Sequence, residues 1–256
     1  MKPSFVLMFA YMIKQNPPPE NGYGLKNFLK LNFYILLPFF LILKEPDLGT
    51  ALVLLITGYA VLFIVGVNKK IWLSIILIIG ISGPILYENL HDYQKKRIED
   101  FVSKEHGWQV KQALVAIGNG GMWGNKEATQ THNDFLPFAT SDFIFPYTIE
   151  RYGFAAGIFL LSFYGFLIIH FLTMLYRLKD DYMSQVFCIS IAALIFVYVS
   201  VNVSMTMGFA PVVGIPLPFY SYGGSSFITF MCFLGIAQNL ITFRFDPMFS
   251  FFKSKL

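Results

Sequence analysis

The 256-residue chain is 55% hydrophobic and 18% aromatic, with only 13% charged residues and a formal charge of +4. That balance excludes an ordinary water-soluble globular domain. Its Lys and Arg residues sit mostly in short connections rather than along a stripe that could follow nucleic acid, so no nucleic-acid partner is expected.

Apolar runs cover residues 3–13, 31–43, 49–66, 71–87, 154–176, 184–208 and 225–242. Several approach the roughly 20 residues that a helix rising about 1.5 Å per residue needs to cross a bilayer core. They recur too often to be one signal peptide. In hydrocarbon every backbone N–H and C=O must be satisfied internally, and no alternating ten-residue pattern suggests a barrel. All seven runs are therefore expected to be helices, and the fold class is an all-α polytopic membrane protein.

The first run is short and begins at residue one, so the chain reads as starting inside a helix, with an N-terminal part expected to be absent. Lys14 and the stiff turn from Pro17 to Pro19 follow it. Lys26 and Lys30 precede the second run, Lys69 and Lys70 follow the third, and Arg177 and Lys179 follow the fifth. Arg244, Lys253 and Lys255 close the chain. Alternating helices put all these cations on one side, which the positive-inside rule makes cytoplasmic.

Between the second and third runs stands Glu45-Pro46-Asp47-Leu48-Gly49-Thr50. Asp47 reads there as a helix cap, with Pro46 setting the approach. Residues 88–148 then form a large outward loop. Arg97, after Tyr93-Gln94-Lys95-Lys96, suits a pyrophosphate head group; equally, the cluster suits a solvated amphipathic segment on the membrane surface.

His91, His106 and His132 lack a ligand spacing that would suggest zinc. Asp134 and Asp142 could share a hard divalent cation, although two acids in a loop are weak grounds. Gly118, Gly120 and Gly121 resemble a nucleotide loop only superficially, with no preceding strand and no following GK[ST], and read as turn residues. Asp142 lies in Thr140-Ser141-Asp142-Phe143-Ile144-Phe145, at the start of an apolar stretch. Partial desolvation would raise its pKa toward a value useful to a general base; a helix N-cap is the competing reading.

Residues 210–224 carry three prolines and repeated glycines beside Ser221 and Tyr222. Irregular backbone at membrane depth is tolerated only against protein or a watery cavity, so a re-entrant segment is expected. Cys188 and Cys232 lie inside apolar runs without CxxC spacing and read as packing residues.

Several stretches in this order resemble the SEDS family, the RodA/FtsW peptidoglycan glycosyltransferases. They are the Glu45 to Thr50 segment, His91-Asp92-Tyr93-Gln94 through Arg97, Gln112 through Gly121, and Phe135-Leu136-Pro137 leading to Ser141 through Phe145. The last is Pro211 through Pro218 leading to Ser221-Tyr222-Gly223-Gly224-Ser225-Ser226. Asp-Tyr-Gln before the arginine points to the RodA branch.

The resemblance covers nearly all of residues 1–256, read as a single SEDS-type membrane domain. It implies about ten transmembrane helices in the full fold, the seven here matching the fourth through tenth. It further implies polymerisation of lipid II on the outer face of the bacterial cytoplasmic membrane during cell elongation, with undecaprenyl pyrophosphate leaving and a class B penicillin-binding protein as partner. Asp142 matches the family's essential aspartate. Lys2 falls where the lysine of the family's Pro-Ser-Glu-x-x-Lys motif would stand.

Lys2, Arg97, Gln112, Glu150, Ser221 and Tyr222 are the implied substrate-binding residues; Asp47, Gly49, Pro216, Gly223 and Gly224 are motif residues with structural roles. No cofactor is named with certainty, a divalent cation (magnesium or manganese) being the one candidate. Phe138 and Ala139 depart from the acid and histidine common in relatives, and Arg151 replaces a second acid.

Two other classes fit a polytopic chain. A lipid-precursor flippase would need charges along a path through the bundle, whereas helix interiors here are nearly free of ionisable groups, His170 being the main exception. A non-catalytic scaffold for a penicillin-binding protein is the other.

Overall fold

The computed structural model describes residues 2–45, 47–88, 95, 98–99, 101–102, 107–125, 139–178 and 181–242, with only the backbone described at 78–80, 82–86 and 241. The described residues form α1 (Lys2–Gln15), α2 (Leu25–Leu43), α3 (Leu48–Val65), α4 (Lys69–Glu88), α5 (Trp108–Gly120), α6 (Ile144–Tyr152), α7 (Phe154–Arg177), α8 (Tyr182–Thr206) and α9 (Gly224–Thr242). Each of the seven apolar runs is helical. Among the described residues, α2, α3, α7 and α8 are long and apolar enough to cross a membrane, and Gly224–Leu240 within α9 is apolar but shorter.

α8 is the axis of the bundle. Its 25 residues rise about 37 Å, more than a bilayer core of about 30 Å requires. It is buried on nearly every side, as a helix without a polar face must be. It packs most extensively on α1, α3 and α7, and also touches α5, α6 and α9. Phe187, Tyr198, Phe230 and Phe233 interlock where α8 meets α9, with Tyr198 edge-on to Phe230 at 5.3 Å between centroids.

The helices differ from the hydropathy pattern at one end of α2. It begins at Leu25, six residues before the apolar run starts, because the polar Lys26, Asn27 and Lys30 belong to the helix although they interrupt the hydropathy pattern. The stretch 88–148, expected as one large loop, also contains helix: α5 lies wholly within it, and α6 starts before its end. α5 buries Val110, Ala113, Ala116 and Gly120, a spacing of three to four residues that lays one face against α6.

The α5–α6 packing is close enough to need glycine. A Cβ on Gly120 would stand 2.2 Å from the Ile149 carbonyl oxygen. Past α5, the Asn125 N–H donates to the Glu150 carbonyl (2.9 Å) and the Phe154 N–H to the Gly121 carbonyl (2.8 Å), fixing the turn against the α6–α7 junction.

Candidate active site

The segment from Ala139 to Phe143 turns into α6, and Asp142 is not its cap. Phe143 occupies the N-cap position and makes no side-chain cap hydrogen bond. Asp142 instead sits half-buried, and burial pushes its carboxyl pKa above the ordinary aspartate value. Its Oδ2 would lie 3.3 Å from a Cβ placed on Gly214, so the carboxylate faces the Pro/Gly-rich loop.

That loop, residues 207–223, contains no helix. Its prolines at 211, 216 and 218 carry no N–H, which leaves fewer buried donors to satisfy. It is tied to the Asp142 segment by hydrogen bonds from several elements. Ser221 Oγ donates to the Ser141 carbonyl (2.6 Å) and accepts from the Leu217 N–H (2.7 Å). The Tyr222 N–H donates to the Thr140 carbonyl (2.9 Å), and Tyr220 Oη meets Thr148 Oγ1 at 3.0 Å. Tyr164 of α7 donates its hydroxyl to the Pro218 carbonyl (2.5 Å).

Asn202 of α8 joins both segments from beneath. Fully buried, it donates from Nδ2 to the Asp142 carbonyl (2.8 Å) and to the Ile215 carbonyl (2.5 Å). One amide thus sets the position of the Asp142 backbone relative to the loop its carboxylate faces. Phe219 has φ 64°, an uncommon backbone conformation for a bulky residue, and its ring packs on Phe230 at 5.3 Å.

α3 and α1 close the other side. Asp47 caps α3, accepting from the Thr50 N–H at 3.0 Å. Gly49 follows, and a Cβ there would stand 2.6 Å from the Val213 carbonyl oxygen, so helix and loop meet only because no side chain intervenes. Lys2 Nζ lies 4.9 Å from the centre of the Tyr198 ring, a cation–π distance, and Asp47 interacts electrostatically with both. Tyr198 and Asn202 are four residues apart on α8, on one face about 6 Å along the axis.

The sequence-derived residues therefore divide. Asp142, Ser221, Tyr222 (through its backbone) and Gly49 meet at the loop, with Lys2 and Asp47 one turn away beside Tyr198. Pro216 follows the Ile215 carbonyl that Asn202 holds. The Gly223 carbonyl accepts from Phe227, and Gly224 opens α9. Gln112 is half-buried on α5 next to Ala113, which packs with Ala139 and Phe143. Glu150 is buried within α6. Arg97, His91 and Asp134 lie outside the described residues.

Among the described residues no three His, Cys, Asp or Glu side chains are grouped to hold a metal. His170, singled out as an ionisable group inside a helix, is exposed on α7 and stacks on Phe166 rather than lining a path. Asn202 was not anticipated, although a lone amide in Val201-Asn202-Val203 is a readable signal in so apolar a helix.

The family model described as cell cycle protein, FtsW/RodA/SpoVE, matches residues 1–245. The chain belongs to this family. It is similar to the peptidoglycan glycosyltransferase MrdB of Helicobacter pylori, 52% identical over 247 residues that cover 96% of this chain and 65% of the relative. MrdB of Escherichia coli K12 is 34% identical over 246 residues, covering 93% and 65%.

In solved structures, this FtsW/RodA/SpoVE family member resembles a chain of a peptidoglycan synthase complex that coordinates polymerization and crosslinking. The TM-score is 0.80 at 25% identity, over 96% of this chain and 69% of that one. The rod shape determining protein RodA of Thermus thermophilus shares the fold, with a TM-score of 0.64 at 24% identity over 96% and 65%. The chain spans about 65% of the length of the curated relatives it matches.

Proposed function

We propose that this chain builds the polymerising site of a peptidoglycan glycosyltransferase that joins lipid II units on the outer face of the bacterial cytoplasmic membrane. The observation that carries the reading is the half-buried Asp142 carboxyl, held against the Gly214 loop by Asn202, Ser221 and the Tyr222 backbone.

The 4-hydroxyl oxygen of GlcNAc on one lipid II attacks C1 of MurNAc on the growing chain. The new bond is O4–C1; the bond from C1 to the pyrophosphate oxygen breaks, and its electron pair leaves with undecaprenyl pyrophosphate. The hydroxyl proton passes to Asp142, whose raised pKa suits it to accept that proton. The leaving group carries its own charge, so no partner acid is needed, in contrast to the carboxylate pair of a glycosidase.

Lys2 and Arg97 supply positive charge for the departing pyrophosphate. Gln112 and Glu150 then act in the walls of the site rather than at the reacting atoms. A divalent cation, if used, would take Asp142 as a ligand and assist the departing phosphate. The segment from Ala139 to Phe143 and the re-entrant segment 210–224 form the outer mouth, and a class B penicillin-binding protein is the partner that cross-links the product.

The decisive test against a flippase is carried out in detergent micelles, where there are no compartments to transport between. Glycan polymer made from purified lipid II by the protein, alone or with its penicillin-binding partner, supports the enzyme. Lipid II transfer between leaflets of liposomes with no polymer in micelles would replace it with the transporter.

A further inference from the structure

A second polar site lies at the other end of the bundle. Met12 and Asn16 at the end of α1, Tyr23 in the connection, and Asn27, Lys30 and Leu31 in the first turns of α2 enclose a small cavity of about 40 Å³. Its wall is fixed. Tyr23 Oη donates to the Asn16 carbonyl (2.5 Å), the Tyr23 N–H to the Gly66 carbonyl (3.1 Å), and the Asn68 N–H to the Tyr23 carbonyl (3.3 Å).

The connection is thereby tied to the far end of α3, whose 18 residues place it about 27 Å from the Asp47 end. The cavity is therefore separate from the Asp142 cluster. It lies at the end of the bundle that carries the exposed Lys14, Lys26, Lys69 and Lys70.

The lining offers one cation, Lys30, and two carboxamides, Asn16 and Asn27, a set of donors suited to phosphate oxygens rather than to a cation. From Lys30, the exposed Phe33, Leu37 and Leu41 follow at three, seven and eleven residues on the same side of α2, forming an apolar track that leads from the cavity along the helix. Basic pockets between transmembrane helices on the cytoplasmic side take anionic head groups.

We propose that this cavity binds the phosphodiester head group of an anionic glycerophospholipid of the cytoplasmic leaflet, with its acyl chains along the α2 track. Lys30 meets the phosphate charge, the Asn16 and Asn27 amides donate to its oxygens, and Lys26, one turn before Lys30, adds to the local field. The site rests on the membrane reading and is independent of the chemistry at Asp142.

The test is native mass spectrometry of the delipidated protein in detergent, with phosphatidylglycerol or phosphatidylcholine added back. The wild type should retain phosphatidylglycerol over phosphatidylcholine. The Lys30→Gln/Asn27→Leu variant should retain about fivefold less or lower, the worth of one cation near an anionic lipid surface. Lys69→Gln, which removes a cation from the same face outside the cavity, should retain as much as the wild type.

Equal retention by the cavity variant at equal Tm would overturn the proposal, as would equal retention of the zwitterionic lipid or an equal loss with Lys69→Gln. Displacement of phosphatidylglycerol by excess inorganic phosphate would assign the cavity to the free anion and overturn the lipid.

Discussion

Burial raises the Asp142 carboxyl pKa, and a general base works only when ionised. Polymerisation should therefore rise with pH through that displaced titration, placing the acid limb of a pH–rate profile above the ordinary aspartate value of about 4; a limb at the ordinary value would contradict the burial. The same shift fixes the sign for stability. With the folded pKa above the unfolded one, the favourable contribution is present below the unfolded value and lost as pH rises through the folded value. Asp142→Asn should then unfold at an equal or higher Tm at neutral pH, the advantage vanishing below about pH 4, as read by scanning fluorimetry in detergent. Asn202→Leu keeps similar bulk but leaves two carbonyls without their donor, which should cost about 2–4 kcal/mol in unfolding measurements and lower activity with it. Asp142 was legible in the sequence as a candidate, but its choice between cap and base was not, because that depends on which residue stands at the α6 N-cap. Phe143 stands there.

Among the elements, the contact of α3 with the Pro/Gly-rich loop makes the sharpest demand on sequence. A methyl group on Gly49 would meet the Val213 carbonyl oxygen, a backbone atom that cannot rotate aside. Gly49→Ala should displace the loop that Asp142 faces and lower turnover by about tenfold or more, since small misplacements of reacting groups are costly. Helix content by circular dichroism should be unchanged, and unaltered turnover would show that the loop yields without consequence. The seven apolar runs were readable because hydropathy follows burial in hydrocarbon. The start of α2 was not, since Lys26 and Lys30 lie in the helix but break its apolar pattern. α5 was overlooked for a related reason: its signal is the spacing of Val110, Ala113, Ala116 and Gly120, while its mean character is too polar to stand out.

For the whole molecule, the ends of α3 set the orientation: Asp47, Lys2 and the Asp142 cluster at one end, Tyr23, Gly66 and the lysine-rich face at the other. In a Cys232→Ser background, Trp123→Cys should react with an impermeant thiol reagent on intact spheroplasts, because Trp123 is 83% exposed beside the α6–α7 junction. Lys69→Cys should react only after the membrane is opened, and the reverse pattern would invert the topology. The order of motifs along the chain made the family legible, whereas the hydrogen bonds of Asn202, Tyr164 and Ser221 join residues far apart in sequence and needed the fold. The most direct test of the account is polymer formation from purified lipid II by the wild type and Asp142→Asn at equal folded yield. The account predicts glycan strands from the wild type and none from the variant; strands from both would remove Asp142 from the chemistry.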